Sequence, residues 1–161
     1  MTKKILDVPK VKQLKCHCGV ASLEMVLAYN SINIDQKSLA QYFPNPDQIY
    51  KEGVWRSDIV KAAEEFGLSA EHYEHYSFDD VVSVIDEKVP IIARTKFYPR
   101  TRYRHFLVIN GYDDQKGTIY VNDPYDLRRG KFEWKQFKNL WQIKGENSSK
   151  NSGVEIRQKK T

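Results

Sequence analysis

The sequence is poor in cysteine and has no long hydrophobic run. Its two cysteines, Cys16 and Cys18, are separated by one residue, and a disulfide across so short a loop would be strained. This excludes the small secreted domains that disulfides hold together. The start of the chain lacks the apolar core of a signal peptide, and no apolar run approaches the length of a membrane span. These absences predict a cytoplasmic protein without an integral membrane segment.

A strong excess of one charge is also missing. Lys and Arg total 26, Asp and Glu total 21, and the net charge of +5 is spread along the chain, so a nucleic-acid partner is not predicted. With 161 residues, the chain can form one domain that buries roughly two thirds of its unfolded surface. We expect this domain to span residues 1–143 and the polar segment 144–161 to be a flexible C-terminal tail.

A nearly all-apolar helix is predicted directly after Cys18. Between Gly19 and Tyr29 the only charged residue is Glu24, and a helix that is apolar all round belongs in a core. Cys18 then lies at a helix N-terminus, where unpaired N–H groups and the helix dipole favour an anion. This makes Cys18 a candidate nucleophile, although cysteine is also a small hydrophobe that can be buried for packing alone.

The rest of the first half carries further helix signals. Asp35 can cap a short helix. An apolar stripe over 59–66 predicts another helix, with Gly67 in the position where glycine commonly follows a helix. Ser77 can begin one more. The first half is therefore predicted to be mainly helical.

Strand signals dominate the second half. Runs of apolar and β-branched residues at 91–95, 105–112 and 118–123 predict strands, and 113–117 between the last two predicts a hairpin turn. A strand is also consistent with 68–73. The predicted fold class is α+β, with helices mostly N-terminal, one central buried helix, and an antiparallel sheet at the C-terminal end.

The hairpin brings a histidine and an aspartate towards each other. If Tyr112 pairs with Thr118 across the turn, Asp123 falls opposite Leu107, and His105 points to the same face as Leu107. Diagonal neighbours on one face lie roughly 7 to 8 Å apart or less, which an imidazole and a carboxylate can span. We therefore expect His105 and Asp123 to touch.

Together with Cys18, these two residues are the parts of a nucleophilic triad. A carboxylate behind a histidine fixes its tautomer and stabilises the imidazolium, while the other ring nitrogen can take a thiol proton. The chain order of cysteine, histidine and acid agrees with papain-like enzymes.

These motifs resemble the papain-like cysteine peptidases that remove double-glycine leader peptides from bacteriocins, together with their stand-alone relatives. The resemblance rests on Gln13 and on the segments 18–27, 105–112 and 121–124, and it covers roughly 8–141. It implies a papain-like fold and the roles of nucleophile for Cys18, general base for His105, orienting acid for Asp123 and side-chain donor to the oxyanion hole for Gln13. No metal or organic cofactor is implied.

The resemblance also has departures. The family usually carries an acidic residue just before the nucleophile, where this chain has His17. The chain lacks the membrane and ATP-binding parts of the transporter-linked members, so the bacteriocin substrate does not follow from the fold. A peptide or protein substrate is the expected partner.

The residues around Cys18 also have an alternative interpretation as a metal site. Cys16, His17 and Cys18 could ligate a metal, helped by His72 and His75, but structural zinc sites usually place two to four residues between paired ligands. A metal site is therefore not predicted.

A basic and aromatic segment, 96–104, precedes His105. We expect Arg100, Arg102, Tyr103 and Arg104 to bind substrate at the rim of the cleft, because arginine and tyrosine offer charge-assisted hydrogen bonds and stacking. A solvated basic loop is the alternative.

The expected activity is that of a cysteine peptidase, which hydrolyses peptide bonds through a thioester acyl-enzyme. Two alternatives remain open. The same fold could resolve the acyl-enzyme with an amine or a thiol and so be a transpeptidase or amidase, or the domain could be a peptide-binding module whose chemistry has lapsed.

Overall fold

The computed structural model describes residues 2–145 and 147–160. The helices are α1 Cys18–Tyr29, α2 Gln36–Ala40, α3 Ile49–Glu52, α4 Arg56–Glu65, α5 Phe78–Asp86 and α6 Trp134–Trp141, with a 3₁₀ turn at Pro46–Gln48. The strands are β1 Lys3–Ile5, β2 Leu68–Tyr73, β3 Ile91–Lys96, β4 Arg104–Asp113, β5 Thr118–Asn122, β6 Lys131–Glu133, β7 Gln142–Ile143, β8 Ser149–Lys150 and β9 Ser152–Gln158. The predicted combination of N-terminal helices with a largely C-terminal sheet is therefore present.

One seven-stranded sheet organises the described part of the chain. Its strands follow the order β2-β9-β3-β4-β5-β6, and β1 pairs with β4. All these pairings are antiparallel. Strands β7 and β8 form a separate small ribbon. The predicted antiparallel sheet is confirmed, and it also takes in β1 and β2 from the first half.

Helix α1 is the central helix of the core. Leu23, Met25 and Leu27 on this helix are fully buried, and the helix packs against β4. Its apolar side chains surround nearly the whole circumference, so it can be covered on all sides without burying a charge. The predicted central buried helix is confirmed.

The helix caps expected from the sequence are also present. Asp35 Oδ1 accepts a hydrogen bond from the Ser38 N–H at 2.8 Å. Ser77 Oγ accepts one from the Asp80 N–H at 3.1 Å, and the Asp80 carboxylate accepts one in return from the Ser77 N–H at 2.9 Å. These contacts satisfy N–H groups that the first helical turn leaves unpaired.

The expectation of a flexible tail over 144–161 is wrong. Strand β9 lies inside the sheet between β2 and β3, so the domain does not end at residue 143. Val154 and Ile156 alternate into the core. The carboxylate of Glu155, between them, accepts hydrogen bonds from Tyr76 Oη at 2.5 Å and from Arg157 Nη2 at 2.7 Å. Partners of this kind let a polar segment form a buried strand. Residues 146 and 161 lie outside the described residues.

Gly19 permits close packing between the start of α1 and the sheet. A Cβ atom at this position would lie 2.4 Å from Val54 Cγ2 and 3.2 Å from Phe106 Cδ2. Both distances are shorter than a normal van der Waals contact. Glycine therefore allows the N-terminus of α1 to approach the strand that carries His105.

We expect Gly19→Ala to destabilise the fold by about 1–3 kcal/mol, because the added methyl group overpacks this contact. Urea unfolding measures the change. Gly130→Ala is a suitable control, because no atom lies within 4 Å of the Cβ position there, and its expected effect is within about 0.5 kcal/mol. Equal stability of the two variants would show that the contact relaxes freely.

Candidate active site

His105 is held at the start of β4. It pairs with Thr95 on β3, and 5% of its surface is exposed. The ring of Phe97 packs against the imidazole with a centroid separation of 5.0 Å. The strand pairing and the aromatic neighbour together fix where the imidazole can point.

A β-bulge sets the approach of Asp123 to this histidine. Beside the turn, Tyr112 pairs with Ile119, so the predicted pairing of Tyr112 with Thr118 is wrong by one residue. The register shifts between Ile109 and Gly111. Beyond the bulge, the pairing has the register that the sequence predicted.

The predicted contact between His105 and Asp123 is present. His105 Nε2 lies 2.7 Å from Asp123 Oδ1. Since Nε2 is engaged by the carboxylate, Nδ1 is the nitrogen left to face a thiol. The pair has the polarity expected of a base with an orienting acid.

Three groups hold the Asp123 carboxylate. Besides His105, the N–H of Tyr125 donates to Oδ1 at 2.9 Å, and Arg129 Nη1 donates to Oδ2 at 3.3 Å. Burial raises the pKa of Asp123. The hydrogen bond and charge of His105 oppose this effect, and the Tyr125 N–H and the Arg129 charge add to the opposition. Together they hold the pKa of Asp123 below its usual range. The carboxylate is therefore ionised at neutral pH.

Cys18 is the first residue of α1 and is partly exposed. Its side chain and that of His105 line the same cleft. Burial lowers the pKa of His105, but the hydrogen bond to Asp123, and then the hydrogen bond and charge of Cys18, raise it to about 9. The imidazole is thus charged at neutral pH, between an acid on one side and a thiol on the other.

Cys18 and His105 open onto one cleft of about 210 Å³. The described residues that line it are Cys18, Glu52, Gly53, Val54, Trp55, Arg94, Arg104, His105, Phe106 and Asn147. The cleft therefore lies between the start of α1, the segment joining α3 to α4, and one end of the central strands. A peptide crossing this end of the sheet would pass the thiol.

Gln13 lies beside the loop that carries Asp123. Its backbone N–H donates to the carbonyl of Pro124 at 2.9 Å. Its side-chain Nε2 donates to the Leu14 carbonyl at 3.2 Å, and the residue does not line the cleft described above. The structure therefore places Gln13 next to the His105–Asp123 pair with its amide bound locally, and its oxyanion role stays a prediction.

The four predicted substrate-binding residues occupy different positions. Arg104 lines the cleft. Arg100, Arg102 and Tyr103 lie in the exposed loop 97–103 and are not among the residues that line it. Arg102 Nη2 instead donates to Tyr103 Oη at 3.0 Å. The role of these three in substrate binding stays a prediction.

Sequence reasoning missed several residues around the cleft. Trp55 lines it with 59% of its surface exposed. Arg129 contacts Asp123 from a turn that carried no motif. Arg94 also lines the cleft, and here a signal was available, because this charge directly follows the apolar run Ile91-Ile92-Ala93.

The described residues contain no group of three or more His, Cys, Asp or Glu side chains arranged to hold a metal ion. His72 Nε2, one of the alternative ligands, lies 2.8 Å from Ser152 Oγ. Over the same part of the chain, no helix has the length and apolar character that crossing a bilayer requires.

The chain belongs to the Peptidase_C39 like family, whose sequence model matches residues 5–149. This confirms the resemblance drawn from Gln13 and from the segments around Cys18, His105 and Asp123. No curated protein sequence matches the chain.

Three solved structures are similar over nearly the whole chain. A putative C39-like peptidase from Bacillus anthracis is 20% identical with a TM-score of 0.75, covering 99% of this chain and 100% of that one. A double glycine motif protease from an AMS/PCAT transporter, in complex with the leader peptide, is 23% identical with a TM-score of 0.68, covering 96% and 94%. The peptidase domain of Streptococcus ComA is 17% identical with a TM-score of 0.68, covering 92% and 97%. These matches confirm the predicted α+β, papain-like cysteine peptidase fold.

Proposed function

We propose that this protein hydrolyses peptide bonds with Cys18 as nucleophile, His105 as general base and then general acid, and Asp123 as the orienting acid. One observation carries the proposal. A partly exposed thiol at a helix N-terminus shares one cleft with a buried histidine, and a buried aspartate binds Nε2 of that histidine. Groups so matched in geometry and charge are typical of activated nucleophiles.

In the first half of the reaction, His105 Nδ1 already holds the proton given up by the Cys18 thiol, and the thiolate Sγ attacks the carbonyl carbon of the substrate. Asp123 stabilises the resulting imidazolium without taking its proton. The tetrahedral intermediate then collapses as the carbon–nitrogen bond breaks. His105 gives its proton to the departing amine, and the acyl group remains on Cys18 as a thioester.

In the second half, water replaces the amine in the cleft. His105 takes a proton from the water as its oxygen attacks the thioester carbon. The carbon–sulfur bond breaks, the acid product leaves, and the Cys18 thiolate again faces the protonated imidazole. The cycle needs no redox partner, because no atom changes its oxidation state.

A peptide is the substrate class that fits this site. The cleft, at about 210 Å³, is smaller than the roughly 300–1,000 Å³ of pockets that engulf small molecules. An extended chain that crosses the surface needs only a narrow opening beside the thiol. The similar double glycine motif protease was solved in complex with a leader peptide, which supports a peptide substrate for this chain too.

The activity is tested by incubating the protein with a mixed peptide library in heavy-oxygen water and analysing the products by mass spectrometry. Hydrolysis places the heavy oxygen in the new carboxyl group. A product that has gained an added amine instead would identify a transpeptidase. Peptides that bind without being cleaved would identify a binding module.

Gln13 is proposed to donate its side-chain amide to the developing oxyanion after release from the Leu14 carbonyl. We expect Gln13→Ala to lower kcat roughly 100- to 1,000-fold, the usual cost of losing one such donor. Gln13→Glu is the matched control for size: it should lose as much activity, because its carboxylate cannot donate. A loss below about threefold in both variants would remove Gln13 from the mechanism, since one lost donor usually costs far more.

A further inference from the structure

Arg94 is a buried cation on the wall of the Cys18 cleft. Only 7% of its surface is exposed. Its Nη1 donates to the carbonyl oxygen of Asn147 at 2.8 Å and to Ser149 Oγ at 3.0 Å. Both partners are neutral. Arg94 takes part in none of the ion pairs among residues 2–145 and 147–160. Buried charges are normally paired.

The surroundings of Arg94 are more positive than negative. Arg104 lines the same cleft. Among the described residues that line this cleft, Glu52 has the only carboxylate. Arg56 lies close by, with Glu74 at 3.9 Å from its Nη1. Burial lowers the pKa of Arg94 to about 10, and the charges of Arg56 and Arg104 add to this effect against the smaller opposing charge of Glu74. Arg94 therefore remains charged at neutral pH in a place that favours an anion.

Strand pairing sets Arg94 next to the reacting groups. On β3 it pairs directly with Phe106 on β4, the residue after His105. Phe106 in turn packs against Gly19, the residue after Cys18. Arg94 and Cys18 also line one cleft, so a group bound by the guanidinium lies in the cleft that holds the bond Cys18 would attack.

We propose that Arg94, together with Arg104, forms a carboxylate-binding subsite beside Cys18. The preferred substrate then carries a carboxylate near the scissile bond, from an acidic side chain or from its own C-terminus. This inference rests on the proposed peptidase function and adds the chemical class of substrate. Asn147 and Ser149 hold one edge of the guanidinium, which leaves its remaining N–H groups pre-oriented for the planar, bidentate geometry of a carboxylate.

The experiment compares peptides that differ only in this charge. One arm uses quenched fluorescent peptides with Glu or Gln at each position around the cleavage site, and the other uses peptides ending in a free carboxylate or in an amide. We expect kcat/KM to be roughly 10- to 100-fold higher for the acid in one of these arms, the range expected for a charge-assisted hydrogen bond. The arm that shows the preference identifies the source of the carboxylate.

Two variants assign this preference to the subsite. Arg94→Gln and Arg104→Gln should each bring the ratio of kcat/KM between acid and neutral peptides towards one. Arg128→Gln is the matched control, because its side chain is 93% exposed and pairs with Asp126, away from the residues that line the cleft. If Arg94→Gln fails to fold, the ratio measured for Arg104→Gln tests the subsite, because the Arg104 side chain is exposed.

Equal cleavage of acid and neutral peptides by the parent would overturn the proposal, as would a preference that survives in both variants. Binding of the same peptide pairs to Cys18→Ala, measured by calorimetry, separates this failure from failure of the peptidase proposal. If the parent cleaves nothing but Cys18→Ala binds the acid peptide at least tenfold tighter, the subsite stands and the peptidase proposal falls. If Cys18→Ala also binds both peptides equally, neither stands.

Discussion

Replacing Cys18 with alanine is expected to abolish peptide hydrolysis, with kcat/KM falling roughly 10⁴- to 10⁶-fold. The reason is chemical, since alanine offers no atom that can form the acyl-enzyme. The remaining groups can bind a peptide and polarise its carbonyl, but they cannot replace the covalent step. Cleavage of a library-derived peptide, followed by mass spectrometry, measures the loss.

Cys16→Ala is the matched control for this prediction. Cys16 is two residues from Cys18, is also partly exposed, and has a positive φ of 58° in the loop before α1. It lies outside the helix whose N-terminus favours an anion. We expect Cys16→Ala to retain activity within about threefold, as surface substitutions usually do. Activity that survives Cys18→Ala but not Cys16→Ala would show that Cys16 is the nucleophile.

Asp123→Asn is expected to lower kcat by less than the roughly 10⁴-fold that the equivalent change costs in a Ser-His-Asp triad. An asparagine amide carries no charge to stabilise the imidazolium of His105, although its oxygen can still accept a hydrogen bond from Nε2, as in the Cys-His-Asn sites of papain-like proteases. The same change removes a charge that helps to raise the pKa of His105 to about 9. The alkaline limb of the activity profile should therefore move to lower pH.

The pH dependence of stability gives a second readout of the same change. The pKa of His105 in the fold, about 9, lies above the ordinary value of 6.5, so its contribution to stability is complete below 6.5 and is lost as pH rises through about 9. Asp123→Asn should reduce this loss between neutral and alkaline pH. Asp126→Asn is the control, because this acid binds Arg128 in the same turn and not His105. Identical profiles for the parent and Asp123→Asn would contradict the account of His105.

Much of the candidate site could be predicted because its residues fall on regular elements. Cys18 begins a helix with a long apolar run, and His105 is the second residue of a strand of ten residues. The pairing of Asp123 with His105 was harder, because it depends on a hairpin register. The turn register was wrong by one residue, and the shift between Ile109 and Gly111 compensated for it. A bulge of this kind leaves only a weak signal in the sequence. Here that signal is Gly111, which lets β1 approach β4 closely.

Strand β9 shows why other parts were not predicted. Its sequence, Ser152-Gly153-Val154-Glu155-Ile156, has only two large apolar residues, which periodicity alone does not separate from a polar tail. Its burial depends on distant partners such as Tyr76 for Glu155. The burial of Arg94 was unpredictable for the same reason. Its hydrogen-bond partners Asn147 and Ser149 come from a segment more than fifty residues away along the chain. Tertiary partners of this kind are invisible to local patterns.

The central claim is that the Cys18 thiol is activated by an imidazole that Asp123 holds in place. The most direct measurement is the rate at which iodoacetamide alkylates Cys18 across pH in the Cys16→Ala background, with and without His105→Ala. The account predicts rapid alkylation at about pH 6 and a loss of at least roughly tenfold when His105 is removed, because the thiolate is then no longer paired with a cation. A Cys18 that is inert at about pH 6, or whose rate does not respond to His105→Ala, would contradict it.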